Sequence, residues 1–448
     1  MNRLRCLHCE WIQNRLEMAG RFAGRFVPSA TGIESHFSQA IAISSLNVSY
    51  TDLANHLESL DTVVLITTGR TGSDFLQGLL DSHPEVVVFN GSLFFYTDFL
   101  LRSKCLKLDD YDVEDVVEEF IGLNIERFKS RYDLTEGKDR LGITGSEAIS
   151  IDLNEFRRIA IGLANEMDRR PSSILISLYG AYHVCSGMDI LNAKVLMHHA
   201  HHASESKIFL QDFPESLVLI TTRDPRATLV SGIENWRNYS RRHDTGRHLY
   251  IYVKRIIEDT APFAGWGRSC RAMRLEDLPR EESLKLLCSW LGIRFEESVL
   301  QSTWQGLLWY GDRVSGRKIP AAKWTPNRTY NGWKERLTTK DQVMLNFLMY
   351  ERLLNYGYKA IPRNFWQWIL MPFIIPLPLR YEARFLSWSY IKNVEGKNLS
   401  RKAVTCAFNA FYYLKRVLLC YQYYLRSYTK AAHKGRWIGD SKHEPGVL

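Results

Sequence analysis

The sequence predicts an α/β protein in which helices cover both faces of a central parallel sheet, followed by a mainly helical extension. Residues 63–68, VVLITT, form an unbroken apolar and β-branched run, as expected of a strand that is buried on both faces. A glycine-containing loop follows, and residues 73–82 then place four apolar side chains on one helical face. Strand, glycine loop and helix in this order are the first unit of a doubly wound domain.

The same alternation recurs further along the chain. Three more strands are predicted at residues 172–180 (SSILISLYG), 193–199 (AKVLMHH) and 216–224 (SLVLITTRD). Residues 225–236 predict a helix with a proline in its first turn, and residues 281–300 predict an amphipathic helix that ends at Gly292. The acidic, helix-forming segment between residues 100 and 170 predicts helices beside the sheet.

Composition indicates a globular chain of two or three domains, with 448 residues, 45% of them hydrophobic and 24% charged. The eight cysteines are scattered along the chain, which is typical of reduced thiols in a cytoplasmic protein. Cys6 and Cys9 have metal-like spacing, but no second pair follows, so a zinc site is not predicted. The N-terminus lacks the apolar core of a secretory signal, and the apolar runs are too short or interrupted for a membrane span.

The net charge of +9 is a property of the C-terminal part of the chain. Residues 361–448 contain 14 Lys and Arg against 4 Asp and Glu, which is a surplus of +10. The preceding residues therefore carry a net charge of −1.

The loop after the first strand, GRTGSD, has features of a phosphate-binding loop but lacks the lysine. A Walker-type loop reads G-x-x-x-x-G-K-[ST], whereas here Gly72 is followed directly by Ser73 and Asp74. Gly69 and Gly72 allow a tight turn beside an anion, and Arg70 can bind two phosphate or sulfate oxygens at once. A plain glycine turn before a serine N-cap is the alternative.

A second anion site is predicted where the strand at residues 216–224 ends. Arg223 closes this strand, and Ser231 follows eight residues later in the next helix. Two helical turns bring Ser231 back toward the loop of Arg223, so that a guanidinium and a hydroxyl can hold one phosphate. An ion pair between Arg223 and Asp224 or a neighbouring carboxylate is the alternative.

Together these segments resemble the sulfotransferases that use 3′-phosphoadenosine 5′-phosphosulfate (PAPS), especially the carbohydrate and bacterial types. TTGRTGSDF resembles their 5′-phosphosulfate loop, and TTRDPRATLVS resembles their 3′-phosphate site. RAMRLEDLPREESLKLLCSWLGIRFEESVL is similar to the segment that follows, and NRTYNGWKERLTTKDQ resembles the late loop that folds over the nucleotide. The four landmarks stand in the family's order across residues 60–358.

The resemblance implies a P-loop-NTPase-like fold, PAPS as the sulfate donor and no requirement for a metal. The residues that it implies for the 5′ end are Gly69, Arg70, Thr71, Gly72, Ser73 and Asp74, and those for the 3′ end are Arg223 and Ser231. Arg328 and Lys334 are candidates for the closing loop, and Arg70 is also a catalytic candidate because the transferred SO₃ group carries negative charge. The predicted domains are an N-terminal helical arm (1–58), the sulfotransferase domain (59–360) and the C-terminal extension (361–448).

A general base is also needed, because a hydroxyl attacks poorly while it keeps its proton. Many carbohydrate enzymes of the family place a glutamate shortly after the first helix, where this chain has Asn90, Gly91 and Ser92 and no carboxylate. Other members use a histidine at the end of a later strand, which fits His198 and His199 in KVLMHHAHHASESK. The choice between the two histidines stays open, as do a structural role and a metal site for HHAHH.

The C-terminal extension interleaves aromatic and basic residues, as in AFNAFYYLKRVLLCYQYYLRSY. This pattern favours peripheral membrane contact through an amphipathic basic helix, with FWQWILMPFIIPLPL as an apolar lip. A helical subdomain that packs its aromatic residues against the core is the alternative. Nucleic-acid binding is not predicted, because no recognition motif accompanies the charge.

Three functional hypotheses follow. The first is a PAPS-dependent sulfotransferase acting on a hydroxyl or amino group of a glycan or glycolipid. The second is a P-loop kinase or nucleotide hydrolase, and the third is a non-catalytic membrane- or glycan-binding protein. The missing lysine and the pair Arg223 and Ser231 favour the first over the second.

Overall fold

The computed structural model describes residues 48–67, 69–100, 112–130, 141–145, 147–201, 203–239, 245–258, 270–311, 332–387, 390, 392, 399–426 and 438. All of these belong to one compact unit, Gln39–Leu448. Arg328, Cys6 and Cys9 lie outside the described residues.

The described chain contains nine strands. They are β1 (Asp61–Thr67), β2 (Val86–Val88), β3 (Lys129–Ser130), β4 (Ile149–Ser150), β5 (Val195–His201), β6 (Leu217–Thr222), β7 (Cys270–Arg274), β8 (Thr303–Trp304) and β9 (Leu307–Leu308). Five of them form the central sheet in the order β2-β5-β1-β6-β7, and every neighbouring pair is parallel. The other four form two short antiparallel pairs, β3 with β4 and β8 with β9.

The α-helices of the described chain number fifteen. They are α1 (Tyr50–Glu58), α2 (Ser73–Leu80), α3 (Val113–Leu123), α4 (Ile125–Phe128), α5 (Leu153–Glu166), α6 (Pro171–Cys185), α7 (Ala203–Asp212), α8 (Pro225–Tyr239), α9 (Gly246–Glu258), α10 (Glu281–Leu291), α11 (Thr339–Leu348), α12 (Tyr350–Asn355), α13 (Phe365–Ile374), α14 (Arg380–Phe385) and α15 (Leu399–Arg426).

Strand β1 is the centre of a three-layer fold, because its side chains alternate between two separate cores. Val64 and Ile66 pack with residues of α1, α3, α5 and α6 on one face of the sheet. Val63 and Leu65 pack with residues of α2 and α10 on the other face. The predicted α/β fold with a central parallel sheet and a helical C-terminal extension is therefore confirmed.

The predicted strand at residues 172–180 is wrong, because this segment lies inside helix α6. Every side chain from Ser173 to Cys185 is buried, so the helix is apolar on all sides and has no amphipathic period. A continuous apolar run cannot by itself distinguish a buried helix from a buried strand. Pro171 at the first helical position is the local signal that favours the helix.

The other three predicted strands are confirmed as β1, β5 and β6, whereas β2 and β7 were not predicted. Strand β2 is only three residues long, and β7 contains two arginines in the sequence CRAMR, so neither forms a long apolar run. The predicted helices at residues 73–82 and 225–236 correspond to α2 and α8. The predicted stop at Gly292 is also confirmed, since α10 ends at Leu291 and Gly292 has a φ of 73°.

Elements from both sides of the predicted domain borders contribute to shared cores. Helix α1 precedes residue 59 and buries Leu53 and Leu57 against the sheet layer. The C-terminal helices α13, α14 and α15 share a hydrophobic cluster with α8, α9 and α11. The division at residues 58 and 360 stays a prediction.

Candidate functional site

The loop between β1 and α2 lies at the carboxyl edge of the sheet, next to its central strand. Strand β1 has β5 on one side and β6 on the other. The chain continues from β1 toward β2 and β5, and then crosses to β6 and β7. Such a reversal opens a crevice at the strand ends, which is where ligands bind in open α/β sheets.

The backbone of this loop adopts positive φ angles at three positions: 87° at Gly69, 59° at Arg70 and 88° at Gly72. A methyl group at residue 72 would overlap Leu275 and approach Leu278 to 3.4 Å. Gly72 is also the N-cap of α2 and supplies no side-chain hydrogen bond to that helix. The positive end of the α2 dipole is therefore not capped by a side chain at residue 72, which suits an anion.

Three threonine hydroxyls fix the shape of the loop. The Thr67 and Thr71 hydroxyls are hydrogen-bonded at 2.6 Å, and the Gly69 amide donates to Thr67 Oγ1 at 3.0 Å. The Thr71 hydroxyl is also 3.0 Å from the Thr221 hydroxyl of β6. Thr71, predicted as a cofactor contact, is buried and ties the loop to the neighbouring strand.

Arg70 and Arg223 lie within electrostatic reach of each other at the ends of adjacent strands. Burial is the largest cause that lowers the pKa of Arg223, and the positive charge of Arg70 lowers it further. Among the described residues, the buried Arg223 Nε has no hydrogen-bond partner. Two guanidiniums at adjacent strand ends favour the binding of anionic groups at this edge of the sheet.

Glu276 is the carboxylate that faces Arg223. Burial raises the pKa of Glu276, and the Arg223 charge opposes this effect. The Tyr358 hydroxyl donates to Glu276 Oε2 at 2.9 Å. The next residue, Asp277, pairs with Arg274 at the end of β7. The Glu-Asp-Leu step of the sequence therefore positions two arginines at the sheet edge.

Helix α9 contributes two residues that the sequence analysis missed. A methyl group at Gly69 would lie 3.8 Å from Arg255 Nη1. Burial raises the pKa of Tyr252 to about 12, while the charges of Arg255 and Arg70 oppose the rise. The available signal was the spacing of Tyr252 and Arg255, which places both on one face of a helix.

Ser231 lies in the second turn of α8, beside a close helix crossing. Its hydroxyl accepts a hydrogen bond from Asn235 Nδ2 at 3.1 Å. The next residue, Gly232, packs so tightly against Tyr252 that a methyl group there would lie 2.7 Å from the ring. Tyr252 in turn responds to the charge of Arg70. Tyr252 therefore connects the surroundings of Ser231 with those of the glycine loop.

The late segment after residue 331 packs on the start of α8. Arg226 forms a bidentate pair with Asp224, and its guanidinium lies 4.2 Å from the centroid of the Trp333 ring. Lys334 is exposed and follows Trp333 directly. Asp224 is thus hydrogen-bonded to Arg226, and the carboxylate with the larger electrostatic effect on Arg223 is the neighbouring Glu276.

The two candidate histidines have different surroundings. The His198 ring stacks on Phe209 at 4.9 Å between centroids, and its Nδ1 is 2.9 Å from the Tyr179 hydroxyl. Its Nε2 is 3.7 Å from Glu205, which also accepts the Tyr96 amide at 2.8 Å. His198 therefore lies within a buried network that connects β5, α6 and α7.

His199 faces the helix that follows the glycine loop. Its Nδ1 is 3.2 Å from Gln77 Oε1 and 3.6 Å from Asp74 Oδ1, and both partners belong to α2. Gln77 Oε1 also accepts the Gly91 amide at 2.9 Å. The segment with Asn90 and Ser92 is fixed by Arg127, which donates to both carbonyl oxygens. His199 is thus the histidine that joins the glycine-loop helix to residues 90–92.

No group of three or more potential metal ligands occurs among the histidines, cysteines and carboxylates that the structure describes.

The likeness of this chain to known proteins is limited to solved structures. No family model matches the chain, and no curated protein matches it. Among solved structures, the chain is similar to the sulfotransferase domain from the Synechococcus PCC 7002 olefin synthase, with 15% identity and a TM-score of 0.30. The match covers 62% of this chain and 88% of that domain. The fold described above rests on the strand order of the sheet itself.

Proposed function

We propose that this protein is a sulfotransferase that takes a sulfuryl group from PAPS and transfers it to a hydroxyl or amino group. The observation that carries the proposal is the pair of arginines at adjacent strand ends, with Arg70 in the glycine loop and Arg223 after β6. Burial lowers the pKa of Arg223, and Arg70 lies near enough for its charge to lower that pKa further. PAPS carries anionic groups at its 5′ and 3′ ends, so a site with two separate arginine positions suits it. A nucleoside triphosphate that lacks a 3′-phosphate has no corresponding anionic group for Arg223 to bind.

The residues that would hold the donor divide into two sets. Arg70 and the backbone of residues 69–74 would bind the 5′-phosphosulfate at the start of α2. Arg223 and Ser231 would bind the 3′-phosphate, with Glu276 orienting Arg223. Arg255, beside Gly69, is the second cation of the 5′ region. Lys334 stays a candidate for the closing segment.

The donor would supply a sulfuryl group that is already activated by its phosphate leaving group. The protein's part is then to position the acceptor in line and to stabilise negative charge that spreads over the transferred oxygens. Arg70 is the residue of the loop that can do this through two N–H groups at once.

His199 is our candidate for the general base. The tautomer with the proton on Nδ1 directs that proton toward Gln77 and Asp74, and Nε2 is then the proton acceptor for the attacking hydroxyl. A carboxylate beside Nδ1 also stabilises the imidazolium that forms. His198 is instead enclosed by Tyr179, Glu205 and Phe209. These contacts suit a residue that positions β5 better than they suit a general base.

A ligand-specific thermal shift tests the donor. 3′-Phosphoadenosine 5′-phosphate should raise the melting temperature of the full chain more than ATP with Mg²⁺ does, because only the former reaches both arginine positions. Arg223→Ala should reduce the shift with the bisphosphate, whereas Arg170→Ala, an exposed arginine at the start of α6, should not. The protein would be a kinase or hydrolase instead if ATP with Mg²⁺ stabilised it as much as the bisphosphate does and Arg223→Ala left both shifts unchanged.

The acceptor is proposed as a glycan or glycolipid, from the resemblance to the carbohydrate-sulfating enzymes. Incubation with ³⁵S-labelled PAPS and a panel of glycans and glycolipids measures transfer directly. Binding of the bisphosphate without label transfer to any acceptor of the panel would favour the non-catalytic alternative.

A further inference from the structure

Helix α13 is apolar on two opposite faces. Met371 is fully buried and Trp368 half-buried against the helical cluster of α8, α9 and α11. The opposite side should then be polar in a helix that meets only water. Six large apolar side chains between residues 365 and 377 are exposed instead: Phe365, Trp366, Ile369, Leu370, Phe373 and Leu377. Residues 364–379 contain no charged side chain.

The degree of exposure is high for side chains of this size. Phe373 is 71% exposed, Phe365 is 70% exposed and Trp366 is 66% exposed. Residues 365, 366, 369, 370 and 373 follow helical spacing, so they cover one continuous side of α13. Single exposed apolar residues are ordinary, but a contiguous aromatic face marks an interaction surface.

Helix α15 carries a second apolar stripe on its outer side. Its exposed large apolar side chains are Val404, Phe408, Phe411, Leu414, Leu418 and Leu425. Four of them recur every seven residues, and the other two lie between them on the same side. The inner side of the helix buries Leu419, Cys420 and Tyr424 in the cluster shared with α13.

The two apolar faces adjoin each other. The Tyr421 hydroxyl donates to the Pro372 carbonyl at 2.6 Å, and the Tyr424 hydroxyl donates to the Trp368 carbonyl at 2.9 Å. Tyr421 is one helical turn from Leu418, and Pro372 directly precedes Phe373. These contacts join α13 to α15, and the exposed apolar sides of the two helices are together called here the aromatic face.

A buried ion pair joins α15 to α14, which follows α13 in the chain. Arg416 of α15 donates to both carboxylate oxygens of Glu382 in α14, at 2.9 and 2.7 Å. Arg416 also donates to the Leu377 carbonyl at 3.1 Å. The aromatic face is thus held by specific contacts and is not a loosely attached tail.

The charge around the aromatic face identifies its partner. Residues 399–426 contain five Lys and Arg and no Asp or Glu, and residues 361–448 carry a surplus of +10. Two copies of the chain that paired through this face would bring like charges together, whereas helix pairs are usually flanked by opposite charges. A surface with anionic headgroups and an apolar interior complements both the charge and the aromatic residues.

Within the described residues, no helix is both long and apolar enough to cross a bilayer. We propose that the aromatic face of α13 and α15 lies in the interface of an anionic membrane, with Phe365, Trp366 and Phe373 inserted among the acyl chains. This inference concerns a surface that is separate from the proposed nucleotide site, and it does not depend on sulfuryl transfer.

Vesicle flotation with the full chain tests the proposal. The probes are vesicles of phosphatidylcholine alone and vesicles that contain phosphatidylglycerol at one part in three. The wild-type protein should float with the anionic vesicles and much less with the neutral ones. Trp366→Ser combined with Phe373→Ser should lower the partition coefficient at least about tenfold, since each aromatic side chain loses its apolar burial.

A matched control separates insertion from a general loss of surface hydrophobicity. Ile143→Ser combined with Leu286→Ser removes two exposed apolar residues elsewhere and should leave flotation unchanged. The far-ultraviolet circular dichroism spectrum should stay the same in both double variants, which shows that the fold is intact.

Two results would overturn the proposal. One is equal flotation of the wild type and the Trp366→Ser, Phe373→Ser variant. The other is a stable dimer of the wild type in sedimentation velocity without lipid that this variant converts to a monomer, because the aromatic face would then bind a second copy of the chain.

Discussion

Burial lowers the pKa of Arg223, and the charge of Arg70 lowers it further across the ends of β1 and β6, so the two guanidiniums repel each other when no anion is bound. Removing one of them should relieve this repulsion and also remove an anion ligand. We expect Arg70→Ala to unfold at a temperature no lower than the wild type in sulfate-free buffer. Sulfate and 3′-phosphoadenosine 5′-phosphate should stabilise this variant much less than the wild type, with affinity reduced at least about tenfold.

Differential scanning fluorimetry across a sulfate titration measures both effects. Arg158→Ala is a suitable control, because Arg158 pairs with Glu155 on a distant helix surface. The interpretation of Arg70 as an anion ligand is refuted if sulfate stabilises Arg70→Ala as strongly as the wild type.

Gly72→Ala should destabilise the protein far more than Gly292→Ala, although the two substitutions introduce similar backbone strain. Gly72 and Gly292 both have positive φ, at 88° and 73°. A methyl group at residue 72 would overlap Leu275, whereas nothing lies within 4 Å of a methyl group at residue 292. We expect Gly292→Ala to cost about 1 kcal/mol from strain alone, and Gly72→Ala to cost about 2–4 kcal/mol from strain and overlap.

Urea unfolding of the two variants measures this difference. Equal midpoints would show that the side chain of Leu275 moves away readily, and that the glycine is not needed for packing.

His199→Gln should abolish sulfuryl transfer while the protein still binds 3′-phosphoadenosine 5′-phosphate. Glutamine can keep a hydrogen bond to Gln77 but cannot accept a proton as imidazole does. The transfer rate should fall about 10²–10⁴-fold, which is the usual contribution of a general base. Radiolabel transfer gives the rate, and a thermal shift gives the binding.

His198→Gln is the matched comparison. It disturbs the stack on Phe209 and the hydrogen bond from Tyr179, so we expect a loss of stability with a smaller loss of transfer by the remaining folded protein. The opposite pattern, with His198→Gln inactive and His199→Gln active, would transfer the role of base to His198.

Acid should weaken the contact between the start of β2 and the end of α10 through Glu85. Burial alone would raise the pKa of Glu85, but hydrogen bonds from Lys194 and Arg294 outweigh burial and lower the pKa to about 2. Because the folded pKa is below the ordinary glutamate value of 4.5, the stabilisation is present above about pH 4.5 and is lost as the pH falls toward 2.

Lys194 and Arg294 are largely exposed, so solvent screening limits the stabilisation to roughly 1–2 kcal/mol. Glu85→Gln should therefore lower the free energy of unfolding by that amount at pH 7 and by less near pH 3. Urea unfolding at both pH values checks the sign, and a larger effect at pH 3 would contradict it.

The sequence allowed a reliable prediction of those parts of the fold that depend on local pattern. The buried strand before Gly69, the helix that begins at Ser73 and the stop at Gly292 each follow from residues within a few positions of each other. Strand β7 was not predictable in this way, because CRAMR becomes a strand through pairing with β6, which lies about fifty residues earlier. Helix α6 was misassigned because complete burial removes the amphipathic period.

The candidate site divides in the same way. Arg70 and Arg223 follow buried strands directly, so their place at the sheet edge could be predicted. The separate surroundings of His198 and His199 could not, because they depend on Tyr179, Phe209 and Gln77 from three other helices. Arg255 was missed for the same reason, since only the packing of α9 brings it to Gly69.

Arg255, which the sequence alone did not indicate, should also contribute to binding of the bisphosphate. Its guanidinium lies beside Gly69, and its charge acts on Tyr252 together with that of Arg70. Arg255→Ala should weaken binding of 3′-phosphoadenosine 5′-phosphate about five- to tenfold, because an exposed cation contributes less than a buried one. Lys254→Ala removes the same charge one position earlier, where the side chain points in another direction around the helix, and should change affinity less than twofold. Isothermal titration calorimetry at two salt concentrations distinguishes a direct contact from a long-range charge effect. If both variants lost the same affinity for the bisphosphate and the loss vanished at high salt, Arg255 would be excluded as a ligand.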